Sequence, residues 1–170
     1  DNTLWGGVLG DLGYRGINIG GHDPQGEAFQ DFQKEILKLK NKGIVLAICS
    51  KNNKINVDEV FEKNKNMILK SGDFVFKSIN WNDKAENIKL ILKKLNLTSS
   101  SAIFIDDSKH ERDRVKSVFK DMTVLEISSD PTTFVDTLLE VENLSSVKLT
   151  NEDKSRTKMY QDEGERENLK

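Results

Sequence analysis

Ala102-Ile103-Phe104-Ile105-Asp106-Asp107 is an apolar run that ends on two adjacent carboxylates. Four such residues, β-branched and aromatic among them, read as a short buried strand, and the acidic end marks where the chain leaves the interior. Two other runs share this character, Ile44-Val45-Leu46-Ala47-Ile48-Cys49 upstream and Thr123-Val124-Leu125-Glu126-Ile127 downstream. Stretches of helical period separate them. After Pro24, residues Phe29, Phe32, Ile36 and Leu37 fall on one face, and Gly43 stands where a helix would stop before Ile44. A second helix is predicted from Asp83, because Asp83 and Glu86 have capping-box spacing and Ile88, Ile91, Leu92 and Leu95 form a stripe that packs on a sheet. A third is predicted over residues 108–119, with Val115, Val118 and Phe119 inward. Strands alternating with helices predict an α/β fold, a parallel sheet wrapped by helices. The glycine-rich stretch 6–26, with Val8, Ile17 and Ile19 as short apolar alternations, predicts a small hairpin flap.

The 170 residues suit one domain, and a chain this long buries roughly 70% of its unfolded surface. A net charge of -2 and a pI near 5.8 supply no basic field for a phosphate backbone, so nucleic acid is not an expected partner. Cys49 is the only cysteine, which excludes an internal disulfide and suits a reducing compartment, so the cytoplasm is expected. No run approaches the ~18 apolar residues of a membrane span. Residues 1–149 are read as a catalytic core. Residues 150–170 are nearly without apolar side chains and are read as a charged helix or linker, with fused domains expected on both sides.

Four polar signals, Asp1-x-Thr3, Ser50, Lys84 and Asp106-Asp107, lie at the ends or edges of predicted sheet elements. In open α/β sheets ligands bind beyond the carboxyl ends of the strands, so these groups are expected to converge. The opening Asp1-Asn2-Thr3-Leu4 reads as the downstream part of the phosphotransfer pattern Asp-x-Asp-x-Thr-Leu. On that reading the nucleophilic carboxylate lies two residues upstream of Asp1, and residues 1–170 alone are inactive. Phosphoryl transfer through a carboxylate needs a hard cation, a donor and a cation on the transferring oxygens, and an acid/base group. Asp106 and Asp107 offer carboxylates of the kind that hold Mg²⁺, an ion satisfied by one or two of them plus phosphate oxygens and water. Lys84 would place its ammonium beside a helix N-terminus, a doubly favourable position for phosphate. Ser50 is the candidate donor. Asp1 is the candidate general acid and base, a role contributing roughly 10²–10⁴-fold, and its backbone carbonyl is a candidate metal ligand.

Each feature alone has an ordinary reading. Asp-x-Thr is commonly a turn or cap, serines end strands and lysines coat helices. Adjacent carboxylates after a buried strand are less ordinary, since they repel unless a cation intervenes. Lys51 and Asn52 are candidate substrate contacts. Cys49 is a candidate substrate contact too, as a thioester carrier, but strand parity turns it away from Ser50 and toward a helix layer. His22 and His110 are not required by the chemistry, and Trp5 and Trp81 are read as packing anchors.

The residues Asp1-Asn2-Thr3-Leu4-Trp5-Gly6-Gly7, Gly26-Glu27-Ala28-Phe29, Cys49-Ser50-Lys51-Asn52, Asn80-Trp81-Asn82-Asp83-Lys84-Ala85-Glu86-Asn87 and Phe104-Ile105-Asp106-Asp107 resemble the motifs of the haloacid dehalogenase (HAD) superfamily, in particular its FkbH-like branch. The resemblance extends through Leu149 to Asp153 and on to Met159-Tyr160. It implies a three-layer Rossmann-like HAD fold with a small flap and a minimal (C0-type) cap. It implies a Mg²⁺-dependent, aspartate-based phosphatase or phosphotransferase with Asp1, Thr3, Ser50 and Lys84 as catalytic residues and Asp1, Asp106 and Asp107 at the metal. FkbH-like proteins are associated with taking glyceryl from 1,3-bisphosphoglycerate, removing phosphate and delivering glyceryl to an acyl carrier protein in polyketide and related pathways. Similar modules accompany surface-polysaccharide genes. The chain departs from the family at Ser108-Lys109-His110, where a proline usually opens the helix. A response-regulator receiver also combines paired acids, a hydroxyl residue and a lysine, but in a different order. A degenerate scaffold that only binds a partner is the other alternative.

Overall fold

Alternating residues of the same strand enter different hydrophobic clusters, which defines the layering. In the computed structural model, which describes residues 1–141 together with Met159 and Tyr160, the chain runs α1 (Leu9–Gly16), α2 (Pro24–Asn41), β1 (Leu46–Ser50), α3 (Lys54–Lys63), β2 (Phe74–Ile79), α4 (Lys84–Lys94), β3 (Ile103–Asp106), α5 (Lys109–Val118), β4 (Thr123–Glu126) and α6 (Phe134–Leu139), with short 3₁₀ turns between. Ile48, Ile105 and Leu125 join a cluster built on α2, α3 and α6. Their neighbours Cys49, Phe104 and Val124 join a second cluster with Ile88 and Leu92 of α4 and Val115 of α5. Successive strand side chains point to opposite faces, so helices cover both sides and the arrangement is three-layered. In the larger cluster Phe134 meets Phe32 and Phe29 edge to face, with ring centroids 5.3 and 5.8 Å apart.

The strands are parallel as expected, but they form two pairs. β1 pairs with β2 and β3 with β4, the registers running to Ser50 opposite Ile79 and to Asp106 opposite Glu126. Between β1 and β3 lies a cavity of about 820 Å³. Residues 44–51 and 100–108 line it without a break, as two strand edges do, and Asp1, Thr3, Leu4, Ile36, Leu39 and Ile88 add to its wall.

Helix boundaries follow local chemistry. Asp23 caps α2 by accepting from Gly26 N and Pro24 opens its first turn. Asp83 caps α4 by accepting from Glu86 N at 3.1 Å. The first turn of α5 lacks the family's proline and uses Ser108, whose side chain accepts from Glu111 N at 3.4 Å. Val115 is fully buried, while Val118 and Phe119 are only half-buried.

The expected hairpin flap is helical instead. One antiparallel bridge, Gly6 with Asn18, closes it, and α1 lies between, kinked where Gly13 adopts φ 66°. Two hydrogen bonds close a loop there, and an 8-residue helix does the packing that strand ladders would otherwise do. The boundary expected near residue 149 falls outside the described residues. Of the charged segment, Tyr160 is described, and its hydroxyl donates to Leu95 O at 2.6 Å.

Candidate active site

The carboxyl ends of β1, β2 and β3 deliver the four polar signals to one rim. β3 ends on Asp106, which is buried, and α4 opens on Lys84, 9% exposed, because the Asp83 cap turns the chain into the helix at that point. Lys84 Nζ lies 2.5 Å from Asp106 Oδ2, joining two elements 22 residues apart. Asp106 Oδ1 accepts from Ser108 N at 2.9 Å. The Asp107 side chain is exposed and has no hydrogen-bond partner among the described residues.

Asp1 lies beside this pair. Its Oδ1 accepts from Trp5 Nε1, Leu9 N and Asn52 Nδ2, each at 3.2 Å. Its backbone nitrogen is buried beside Asp107, Lys84 and Asp106. Asn52, 5% exposed, thus tethers the Asp1 carboxylate. Thr3 and Ser50 both line the cavity. Ser50 is fixed by its backbone, its carbonyl accepting from Asn80 N at 3.1 Å. The β2–α4 loop is held in turn by paired side chains, Asn87 Nδ2 donating to Asn80 Oδ1 at 2.8 Å.

Lys51 does not reach freely into solvent. Its ammonium lies 2.6 Å from Glu111 Oε1 of α5, and that bond is the main reason its pKa rises. Glu111 and Arg112 carry the site's other charges, and neither stands out in the sequence, where they read as one more polar helical face.

Among the described residues no group of three or more histidine, cysteine, aspartate or glutamate side chains is gathered as a metal cage. That suits magnesium, which keeps waters and takes one or two carboxylates with substrate phosphate. Asp106 and Asp107 could supply such carboxylates, and Asp1, whose carboxylate accepts from Trp5, Leu9 and Asn52, could add its backbone carbonyl.

Cys49 behaves as strand parity predicts. It packs against the α4 and α5 cluster and its thiol donates to Lys84 O at 3.6 Å. Burial pushes the thiol up to about 12, with Lys84 opposing and Asp106 and Glu111 reinforcing. A thiol in this state holds almost no thiolate at neutral pH and is a poor acyl carrier. The sign is that of an acid whose folded pKa is raised. The protonated thiol's contribution to stability is complete below the ordinary value of 9.0 and is lost as pH climbs from there toward about 12. Iodoacetamide is expected to leave Cys49 largely unmodified at pH 8 in the native protein and to label it once urea unfolds the chain. Rapid native labelling would contradict the buried placement.

The remaining sequence candidates lie apart from these groups. His22 and His110 are exposed and do not line the cavity. Trp5 is a buried anchor, but Trp81 is 73% exposed, because the Asn80 turn carries it outward before α4 begins.

This geometry has counterparts among known proteins. The family of haloacid dehalogenase-like hydrolases matches residues 14–117. A solved structure, the N-terminal part of the protein BF1531 from Bacteroides fragilis, containing a phosphatase domain complexed with Mg, is 40% identical, with a TM-score of 0.80 over 88% of this chain. The match spans 39% of that chain, about two fifths of its length. None of the curated proteins matches. The family match spans more than half of the sequence, and the chain belongs to the haloacid dehalogenase-like hydrolase family.

Proposed function

We propose that the full-length protein is a Mg²⁺-dependent, aspartate-based phosphatase or phosphotransferase of the FkbH-like kind, dephosphorylating a phosphoglyceryl substrate and loading glyceryl onto an acyl carrier protein. The carrying observation is the 2.5 Å contact of Lys84 with Asp106, on the rim where β1 ends at Ser50 and Asp107 follows the end of β3. The solved relative's phosphatase domain with bound Mg supports the chemistry. The FkbH-like substrate rests on the sequence resemblance.

In this reading Asp106 and Asp107 hold the ion, which offsets phosphoryl charge when bound. Lys84 and Ser50 direct an ammonium and a hydroxyl at the phosphoryl oxygens, a preorganised charge complement to the transition state. Asp1, oriented by Trp5, Leu9 and Asn52, protonates the leaving oxygen and then takes a proton from the acceptor. The nucleophilic carboxylate belongs to a strand upstream of Asp1. The cavity supports this, because among the described residues the edges of β1 and β3 that border it have no strand partner, and the buried Asp1 backbone nitrogen lies near Asp107, Lys84 and Asp106. A strand there would be covered on both faces and therefore continuously apolar.

Incubating the full-length protein with 1,3-bisphosphoglycerate, Mg²⁺ and a holo carrier protein is expected to add one glyceryl mass to the carrier. Phosphate release without that gain would favour the simpler second reading, a phosphatase acting on another small phosphoester, as the phosphatase domain of the solved relative suggests.

A further inference from the structure

Arg112 is a charged side chain only 5% exposed, and its bonds converge on the acidic loop. Its Nη1 donates to Asp106 O at 2.9 Å and to Asp107 O at 2.7 Å, and Nη2 reaches Glu126 Oε1 at 3.2 Å. The side chain leans back toward the N-terminus of α5, the direction helical geometry dictates, and so lies beneath the loop that precedes its own helix. Burying a guanidinium costs several kcal/mol unless its hydrogen bonds are satisfied, and here two of the three acceptors are backbone carbonyls of adjacent acids.

Consecutive carbonyls bound by one nitrogen of a planar, anchored guanidinium have their peptide planes restrained together. The two acids differ in how much else restrains them. Lys84 and Ser108 N hold the Asp106 carboxylate directly. The Asp107 carboxylate has no such partner among the described residues, so the backbone alone sets its direction.

We propose that Arg112 is a positioning residue for the acidic pair, aiming Asp107 through its backbone so that a divalent cation meets both carboxylates. The proposal rests on the metal-dependent reading above. A lysine keeps the charge but not the rigid plane, so its rotatable ammonium does not fix the donor directions toward the two carbonyls.

The test is Mg²⁺ titration calorimetry on the full-length protein, with urea unfolding alongside. Arg112→Lys is expected to weaken Mg²⁺ binding about 10-fold or more, the range found when outer-shell partners of metal ligands are changed. Glu126→Gln, which spares both carbonyl bonds, is expected to stay within about twofold of wild type. A folded Arg112→Lys protein that binds Mg²⁺ like the wild type overturns the proposal, and so does a Glu126→Gln protein weakened as much as Arg112→Lys. Should Arg112→Lys not fold, the wild type decides: its Arg112 guanidinium ¹⁵N signals are expected to shift along the Mg²⁺ binding curve, and unmoved signals overturn the assignment. A wild type that binds no Mg²⁺ overturns the metal-dependent function itself, and this inference falls with it.

Discussion

Lys84→Met is expected to lower phosphate release by the full-length protein by about 100-fold or more, the scale seen when one preorganised donor to a developing charge is removed. It is also expected to destabilise the fold by about 3–5 kcal/mol. The reason is desolvation. The side chains of Lys84 and Asp106 are 11% and 6% exposed, so removing the ammonium leaves a buried carboxylate with the Ser108 amide as its remaining direct partner. Arg112 does not replace it, because its bonds go to the carbonyls of the loop. An exposed ion pair such as Lys89 with Glu86 lacks this leverage, and its loss is expected to change stability by less than about 1 kcal/mol. Urea unfolding of both variants, with phosphate release for Lys84→Met, checks the contrast. Equal, small shifts would mean that the Lys84–Asp106 pair is effectively solvated.

The second large effect lies in the core. Phe32 is fully buried and meets Phe134 edge to face with centroids 5.3 Å apart. Phe32→Ala is expected to cost about 3–5 kcal/mol, the range for aromatic truncation in a core that relaxes only in part. Phe134 also touches Phe29, so a Phe29→Ala change shares the α6 contact and is not expected to add fully to Phe32→Ala. Denaturant midpoints of the two single variants and the double variant measure that coupling. A cost below about 1 kcal/mol for Phe32→Ala would contradict the packing described.

The sequence disclosed the elements whose signals are local. Pro24, Gly43, Asp83 and Ser108 act on their immediate neighbours, and the helices they bound start and stop within a residue or two of expectation. β2, α3 and α6 were not read. Phe74-Val75-Phe76 is cut short by Lys77, and α3 owes its start to one residue, Asn53, whose side chain accepts from Ile55 N. The flap was misread because an apolar residue here and there among glycines satisfies a strand period as easily as a kinked helix. Of the site, Lys84 and Asp106 were legible because residue type, order and strand end agreed. Glu111 and Arg112 were not, since their partners are carbonyls and a lysine from other segments, contacts that exist only after β3, β4 and the β1 loop have assembled.

In the proposed function one rim gathers a phosphoryl group and a magnesium ion through Asp106 and Asp107. Phosphate release by the full-length protein, measured with Mg²⁺ and with excess chelator, for the wild type and for Asp106→Asn combined with Asp107→Asn, tests it most directly. Mg²⁺-dependent release that chelator removes is expected in the wild type, and no metal-dependent release in the folded double variant. Full metal-dependent release by that double variant would contradict it.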